Sequence, residues 1–228
     1  MSAMGHTQSV TLSNMLRGGV CDQLAAKRTT LRVAPGHYLY TAGEAAKSIF
    51  YVRNGLLKTS MISEEGRELI LRMHKPQEIL GELSFCGGRR KEHAVAIEDS
   101  ELVEIPLNEL MPQMQRDHRL LAGFLALMGR SLADSYDKLP GFFFQRTMER
   151  LVQTLMKLGD ELGEPFGDGV KINHHIKQEE LAAMIGAPRQ VVSSLLNQLR
   201  DLRLVSYARK GSLTINKRAL KQYLRSIK

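Results

Sequence analysis

Short apolar stretches separated by glycines make up the chain from Leu31 to Ile105. The glycines recur about every 7 to 15 residues, at Gly36, Gly43, Gly55, Gly66 and Gly81. Between them lie segments of strand-like composition: His37–Tyr40, Ser48–Val52, Leu56–Ile62, Glu68–Met73, His93–Ile97 and Glu101–Ile105. Many short strands at regular spacing are typical of an antiparallel barrel or jelly roll. The pattern therefore predicts an N-terminal antiparallel β-roll, with hairpin turns at Asn54-Gly55 and Glu65-Gly66.

The periodicity becomes helical after Pro106. Asp117 is a suitable N-cap, and the helix is expected to continue to about Leu139. Apolar or small residues recur along it in steps of four and three, at Leu121, Leu125, Met128, Leu132, Ser135 and Leu139. These steps form a coiled-coil seam, which predicts a parallel dimer of two copies of the chain. The alternative is a seam buried within one chain. Pro140 and Gly141 then predict a hinge.

The last part of the chain has the pattern of a winged helix-turn-helix. A helix over residues 144–161 is followed by a turn at Gly163–Gly169 and a short strand, Val170–Ile176. Gln178–Ile185 forms the first helix of the motif, Gly186 provides the turn, and the second helix runs from about Pro188 to Leu202. Its apolar face is Val192, Leu195, Leu196 and Leu199, which leaves Arg189, Gln190, Ser193 and Asn197 outward. Two strand-like pieces around Lys210-Gly211 complete the wing.

Charge separates the two halves of the chain. Residues 1–140 hold 17 Lys and Arg against 16 Asp and Glu, whereas residues 171–228 hold 12 against 3, a net charge of +9. A small domain this basic favours a polyanionic partner, because neutralising phosphates releases counterions. Double-stranded DNA is therefore the expected partner. The alternative is a ligand-binding regulatory protein whose basic C-terminal domain docks an acidic protein.

Other classes of function lack support in the sequence. There is no P-loop, HExxH motif or serine-hydrolase pattern, so we expect neither an enzyme nor a catalytic site. Two cysteines, Cys21 and Cys86, cannot supply a disulfide framework or an iron–sulfur cluster, and no metal site is expected. The first ten residues lack an apolar signal core and no apolar run is long enough for a membrane span, which predicts a cytoplasmic protein without membrane contact.

From about Leu24 onwards the chain resembles the cyclic-AMP receptor protein / fumarate–nitrate reductase regulator superfamily. The resemblance rests on the glycine-punctuated β-roll, the Gly81-Glu82-Leu83 segment, the long helix, the hinge, the run RLVQTLMKL at Arg150–Leu158 and the winged helix. It implies a homodimeric, sequence-specific transcription regulator that also works with RNA polymerase. The expected organisation is a β-roll sensor over residues 1–116, a dimerisation helix and hinge over 117–140, and a winged-helix DNA-binding domain over 141–228.

The resemblance also implies DNA contacts. Arg189 matches the family arginine that reads a guanine, a pairing for which the guanidinium is well shaped. Gln190 replaces the usual glutamate, and Ser194 replaces a second arginine. Candidate base or phosphate contacts are Ser193, Ser194 and Asn197, and candidate phosphate contacts are Lys177, Arg209 and Lys210.

For the sensor, the resemblance implies an effector site at Gly81, Glu82, Leu83 and Ser84, with Arg89 and Arg90 as candidate anion ligands and Ser135 and Tyr136 on the long helix. Counted without a gap, the family's phosphate-binding Arg-Ser pair falls on Glu92-His93, and a carboxylate there would repel a phosphate. We therefore do not expect the usual response to cyclic AMP. The effector remains open between a cyclic nucleotide, a cyclic dinucleotide, another metabolite and none, with haem binding and a redox role for Cys86 as further alternatives.

Overall fold

The computed structural model describes residues 29–207 and 212–227. They form two compact units. One comprises the described residues up to Met61 together with Arg72–Tyr136, and the other comprises Ile62–Leu71 together with the described residues from Asp137 onwards. The N-terminal ten residues and Cys21 lie outside the described part of the chain.

Eight strands form the predicted antiparallel β-roll. They are β1 (Thr30–Val33), β2 (Tyr38–Tyr40), β3 (Ser48–Asn54), β4 (Leu57–Ile62), β5 (Glu68–His74), β6 (Ile79–Leu80), β7 (His93–Ala96) and β8 (Ser100–Pro106). They are arranged in two four-stranded sheets, in the orders β1-β8-β3-β6 and β2-β7-β4-β5. All but the short β1 and β6 correspond to predicted strands.

Strand β3 is buried on both faces, because successive side chains of a strand point to opposite sides. Phe50 and Val52 join one apolar cluster with other strand residues of the roll. Ile49 and Tyr51 join a second cluster, which includes Phe124. This second cluster is formed with two helices, α1 (Leu107–Arg116) and α2 (His118–Phe144). The helices thus cover one face of the roll.

Helix α2 begins where the sequence predicts but ends later. The Asp117 carboxylate accepts a hydrogen bond from Arg119 N at 2.9 Å, which confirms Asp117 as the N-cap. The helix continues past Pro140 to Phe144, and the next helix begins only at Thr147. The predicted end near Leu139 is therefore wrong. A proline removes one helical hydrogen bond, and here that loss does not end the helix.

The C-terminal unit contains the predicted winged helix-turn-helix. Its elements are α3 (Thr147–Glu161), β9 (Gly163–Phe166), β10 (Gly169–Ile172), α4 (Gln178–Ile185), α5 (Arg189–Asp201), β11 (Val205–Tyr207), β12 (Leu213–Ile215) and α6 (Lys217–Ser226). The four strands form one antiparallel sheet in the order β11-β12-β10-β9. Residues 163–169, predicted as a turn, instead form a hairpin, because Gly163–Phe166 pairs with Gly169–Ile172. The predicted strand Val170–Ile176 correspondingly ends at Ile172.

Among the described residues, no helix combines the length and the apolar character that crossing a bilayer would require.

Candidate functional site

The helix-turn-helix is built around a glycine turn. Gly186 adopts a left-handed conformation, with φ 61° and ψ 45°, and it ends α4. Ala187 N donates to Ala182 O at 3.0 Å across this turn. Pro188 then occupies the N-cap of α5. These local features set the direction in which the second helix leaves the first.

The apolar face of α5 is buried as the sequence predicts. Val192, Leu196 and Leu199 are at most 2% exposed and pack in one cluster with residues of α3 and α4. Leu195 is half-buried. Burying this face fixes which side of α5 remains accessible to a partner.

The opposite face of α5 carries the predicted DNA contacts. Exposed side chains on α5 are Arg189, Gln190, Ser194 and Asn197, while Ser193 is half-buried. The guanidinium of Arg189 forms an ion pair with Glu179 of α4, with 2.9 Å between Nη1 and Oε1. The Arg189 side chain nonetheless remains 62% exposed. The described residues therefore place polar and basic groups at the start of an amphipathic helix.

Of the remaining predicted DNA contacts, the structure describes Lys177. Lys177 is exposed at the N-cap of α4, and its backbone N–H donates to the Glu180 carboxylate at 2.7 Å. Arg209 and Lys210, which the sequence predicts at the wing, lie outside the described residues.

Arg150 on α3 is hydrogen-bonded to the end of α4, a contact that was not predicted from the sequence. Its Nε donates to Ile185 O at 3.0 Å and its Nη1 donates to Gln145 O at 2.8 Å. Both acceptors are backbone carbonyls near helix ends, which lack partners within their own helices. Nothing in the local pattern around Arg150 predicts these contacts, because its partners are 5 and 35 residues away.

In the sensor, Arg90 is the arginine that lies against the Gly81–Ser84 segment. Its side chain is buried, with Nη1 donating to Ser84 Oγ and Nη2 donating to Ser48 O at 2.8 Å. The guanidinium carbon lies 4.1 Å from the centroid of the Tyr40 ring. A Cβ on Gly81 would come within 2.6 Å of Arg90 Nη1, so the glycine is needed for this approach.

Glu92 lies next to this arrangement and contacts Tyr40. It is buried, and the Tyr40 hydroxyl donates to its carboxylate at 3.2 Å. Burial raises the pKa of Glu92, and the neighbouring Glu82 carboxylate raises it further. Burial likewise raises the pKa of Tyr40 and lowers that of Arg90. A buried cation and two buried carboxylates thus share the interior of the roll.

Glu82 connects the sensor segment to the long helix. Its carboxylate accepts a hydrogen bond from Ser131 Oγ of α2 at 3.1 Å, and Ser131 Oγ accepts one from Arg72 Nη1 of β5 at 3.0 Å. Ser131 lies one helical turn before Ser135 and was not predicted from the sequence. A lone serine on an amphipathic helix carries no signal of such a role.

The other predicted effector residues are not drawn into this arrangement. Arg89 is exposed and donates to Gly43 O at 2.6 Å. Leu83 is 37% exposed. Ser135 donates to Ser131 O of its own helix, and Tyr136 is 62% exposed. These assignments remain predictions, as does a redox role for Cys86, which is a free, exposed cysteine.

Two family models match the two ends of the chain. The cyclic nucleotide-binding domain matches residues 30–117, and the Crp-like helix-turn-helix domain matches residues 149–223. A sensory β-roll followed by a DNA-binding helix-turn-helix defines a transcription regulator. The chain belongs to the cyclic-AMP receptor protein / fumarate–nitrate reductase regulator (CRP/FNR) family, which confirms the resemblance and the fold drawn from the sequence.

Several known proteins similar to the chain are named as regulators. An anaerobic regulatory protein of Bacillus subtilis (strain 168) is 25% identical over 215 residues, 93% of this chain and 89% of the relative. A CRP-like cAMP-activated global transcriptional regulator of Mycobacterium tuberculosis (strain ATCC 25618 / H37Rv) is 26% identical over 162 residues, 71% of this chain and 72% of the relative. The solved structure of the c-di-GMP responsive global regulator CLP from Xanthomonas campestris shares the fold, with a TM-score of 0.73 and 21% identity over 86% of this chain and 96% of that one.

Proposed function

We propose that this regulator binds DNA as a homodimer, with the start of α5 in the major groove. The observation that carries the proposal is the exposed Arg189 at the first position of an otherwise well-packed recognition helix. An arginine can donate two hydrogen bonds to a guanine, whereas Gln190 is suited to adenine. Ser193, Ser194 and Asn197 add contacts along the groove, and Lys177, Arg209 and Lys210 bind phosphates.

The homodimer is supported by the surface of α2. The seam residues Leu125 and Leu132 are 61% and 55% exposed, and Leu121 and Leu139 are also exposed. A row of exposed leucines on a long helix is costly in water unless a partner covers it. A second copy presents the same row, so the two helices match each other. The pair would hold two recognition helices about 34 Å apart, one turn of DNA.

Substitution of Arg189 tests the DNA proposal. A preferred duplex is first selected from a random-sequence library with the wild-type protein. Arg189→Ala should then weaken binding to that duplex by about 1–3 kcal/mol and leave binding to a scrambled duplex nearly unchanged. An equal loss on both duplexes would make Arg189 a phosphate contact. If the wild-type protein binds no DNA, or binds it without a steep dependence on salt concentration, an acidic protein partner is favoured instead.

For the sensor, we propose that it binds a small effector and that it does not bind cyclic AMP in the way usual for the family. Arg90 is already hydrogen-bonded to Ser84 and Ser48, so a phosphate would have to compete for it. Glu82 and Glu92 add two buried carboxylates near that cation, which disfavour a further anionic group such as a phosphate. Relatives respond to different molecules, since the M. tuberculosis protein is named as cAMP-activated and the X. campestris protein as c-di-GMP responsive.

Thermal unfolding in the presence of nucleotides tests the sensor proposal. Cyclic AMP at micromolar concentration should leave the unfolding temperature unchanged, because a ligand that does not bind the folded state does not stabilise it. Cyclic di-GMP and other metabolites are screened in the same assay. A rise of several degrees with cyclic AMP would contradict the proposal.

The proposed action is on transcription in the cytoplasm, where the DNA-bound dimer contacts RNA polymerase. Support comes from the relatives, one of which is named a global transcriptional regulator. Transcription in vitro from a promoter carrying the selected duplex, with and without the protein, measures this effect. Unchanged transcript levels while the duplex is occupied would contradict it.

A further inference from the structure

Glu179 is the acidic residue that lies at the proposed DNA-binding surface. The C-terminal segment 171–228 contains three acidic residues, Glu179, Glu180 and Asp201. Glu180 is buried and accepts a hydrogen bond from Lys177 N, and Asp201 lies at the far end of α5, beside Arg200. Glu179 is 56% exposed and contacts the guanidinium of Arg189.

Stability does not account for this contact. An exposed ion pair contributes little to folding, because water screens it and two long side chains lose rotamer freedom. Glu179 lies in the first turn of α4, where a carboxylate is mildly favoured by the helix dipole. That role does not require Arg189, since Asp or Glu anywhere in this turn would serve it. The pairing instead orients the arginine that is expected to read a base.

The geometry leaves Arg189 able to bind a base while it is paired. A guanidinium has five N–H donors in a fixed plane, and the pairing with Glu179 involves Nη1. A guanine accepts two hydrogen bonds, at O6 and N7, so enough donors remain. An unpaired arginine has many rotamers and can bind any nearby phosphate. A carboxylate beside it repels phosphates and limits the directions in which the guanidinium points.

We propose that Glu179 is a positioning residue that increases the sequence selectivity of Arg189 while lowering the affinity for DNA in general. The proposal rests on the proposed function, because it assumes that Arg189 faces a base. The carboxylate disfavours every DNA through repulsion of phosphates. It disfavours a scrambled sequence more, because there Arg189 has only phosphates to bind and Glu179 holds it away from them.

The test compares Glu179→Gln with two matched variants in the full-length protein. Asp201→Asn removes the same charge at the opposite end of α5, and Glu179→Asp keeps the charge at the original position. Fluorescence anisotropy gives Kd for the duplex selected by the wild-type protein and for a scrambled duplex of the same length, over a range of salt concentrations. Thermal unfolding of each variant verifies that the C-terminal unit is folded.

Glu179→Gln should tighten binding to both duplexes, and more to the scrambled one. The ratio of the two Kd values should fall by about twofold to fivefold, the range that the coupling energy of an exposed ion pair allows. Asp201→Asn should shift both Kd values alike and leave the ratio unchanged, and Glu179→Asp should restore at least part of the ratio. In the Arg189→Ala background, Glu179→Gln should no longer change the ratio, because the residue it acts through is absent.

The possible failures are distinguishable. If Glu179→Gln and Asp201→Asn change the two Kd values in the same way, Glu179 only contributes charge and the inference is overturned. The same holds if Glu179→Gln changes the ratio equally with and without Arg189. If Arg189→Ala itself leaves the ratio unchanged, the proposed function fails first, because Arg189 then reads no base.

Discussion

Leu125→Lys tests the dimer seam. In one protomer the Leu125 side chain is 61% exposed on α2. Full burial of a leucine stabilises by about 1.5–3 kcal/mol, so covering the exposed part gives about 1–2 kcal/mol in each protomer. A symmetric pair doubles this to about 2–4 kcal/mol, which corresponds to a dimer dissociation constant about 30-fold to nearly 1,000-fold weaker. Two lysines facing each other add repulsion.

Sedimentation velocity over a range of protein concentrations measures this dissociation constant. Thermal unfolding of the separated protomer should change little, because Leu125 is not part of a buried cluster in the described residues. Met111→Lys is the matched control, since Met111 is 44% exposed on α1 and does not belong to the seam. If Leu125→Lys dimerises as tightly as the wild type, the seam is not the interface and the reasoning from exposed leucines is refuted.

Two further predictions concern the sensor. Gly81→Ala should destabilise the N-terminal unit by about 1–3 kcal/mol, because Gly81 has φ 81° and the new Cβ would displace Arg90. Thermal unfolding measures this loss, and an unchanged unfolding temperature would contradict the prediction. Glu92→Gln should stabilise the protein at neutral pH. Because the pKa of Glu92 is raised in the folded state, the free energy of unfolding falls as pH rises from the ordinary pKa of glutamate to the raised value. Glutamine carries no ionisable proton, so the variant does not lose this stability. The gain in stability over the wild type should vanish in acid, where Glu92 is protonated. If thermal unfolding shows the same gain at every pH, the charge of Glu92 is not its cause.

Much of the fold could be predicted because its signals are local. Helix α4 has the predicted bounds, since Gly186 and Pro188 end one helix and begin the next through their own backbone preferences. The capping of α2 by Asp117 is also a short-range effect. The hairpin formed by β9 was missed, because Gly163 and Pro165 resemble a turn until a second strand pairs with them.

The sensor site depends on contacts between distant residues. The sequence placed Gly81, Glu82 and Ser84 in one segment, but it did not determine which of several charged residues further along would reach them. Arg90 does so: its backbone N–H donates to Glu44 O at 2.8 Å and its side chain is buried. The loop after Ser84 determines which residue reaches the segment: a shift of two residues replaces Arg90 by Glu92. Hydrophobic periodicity carries no information about the length of a loop.

By itself, the sequence determined the β-roll, the long helix with its row of leucines, and an amphipathic recognition helix that begins near Pro188. Each follows from hydrophobic periodicity and from the backbone preferences of Gly, Pro and capping residues, which act within a few positions. Only the tertiary structure decided that Arg90 lies beneath Tyr40, that Glu82 binds Ser131 and that Glu179 holds Arg189. Such pairings depend on which elements pack together, and packing joins residues that the chain keeps apart.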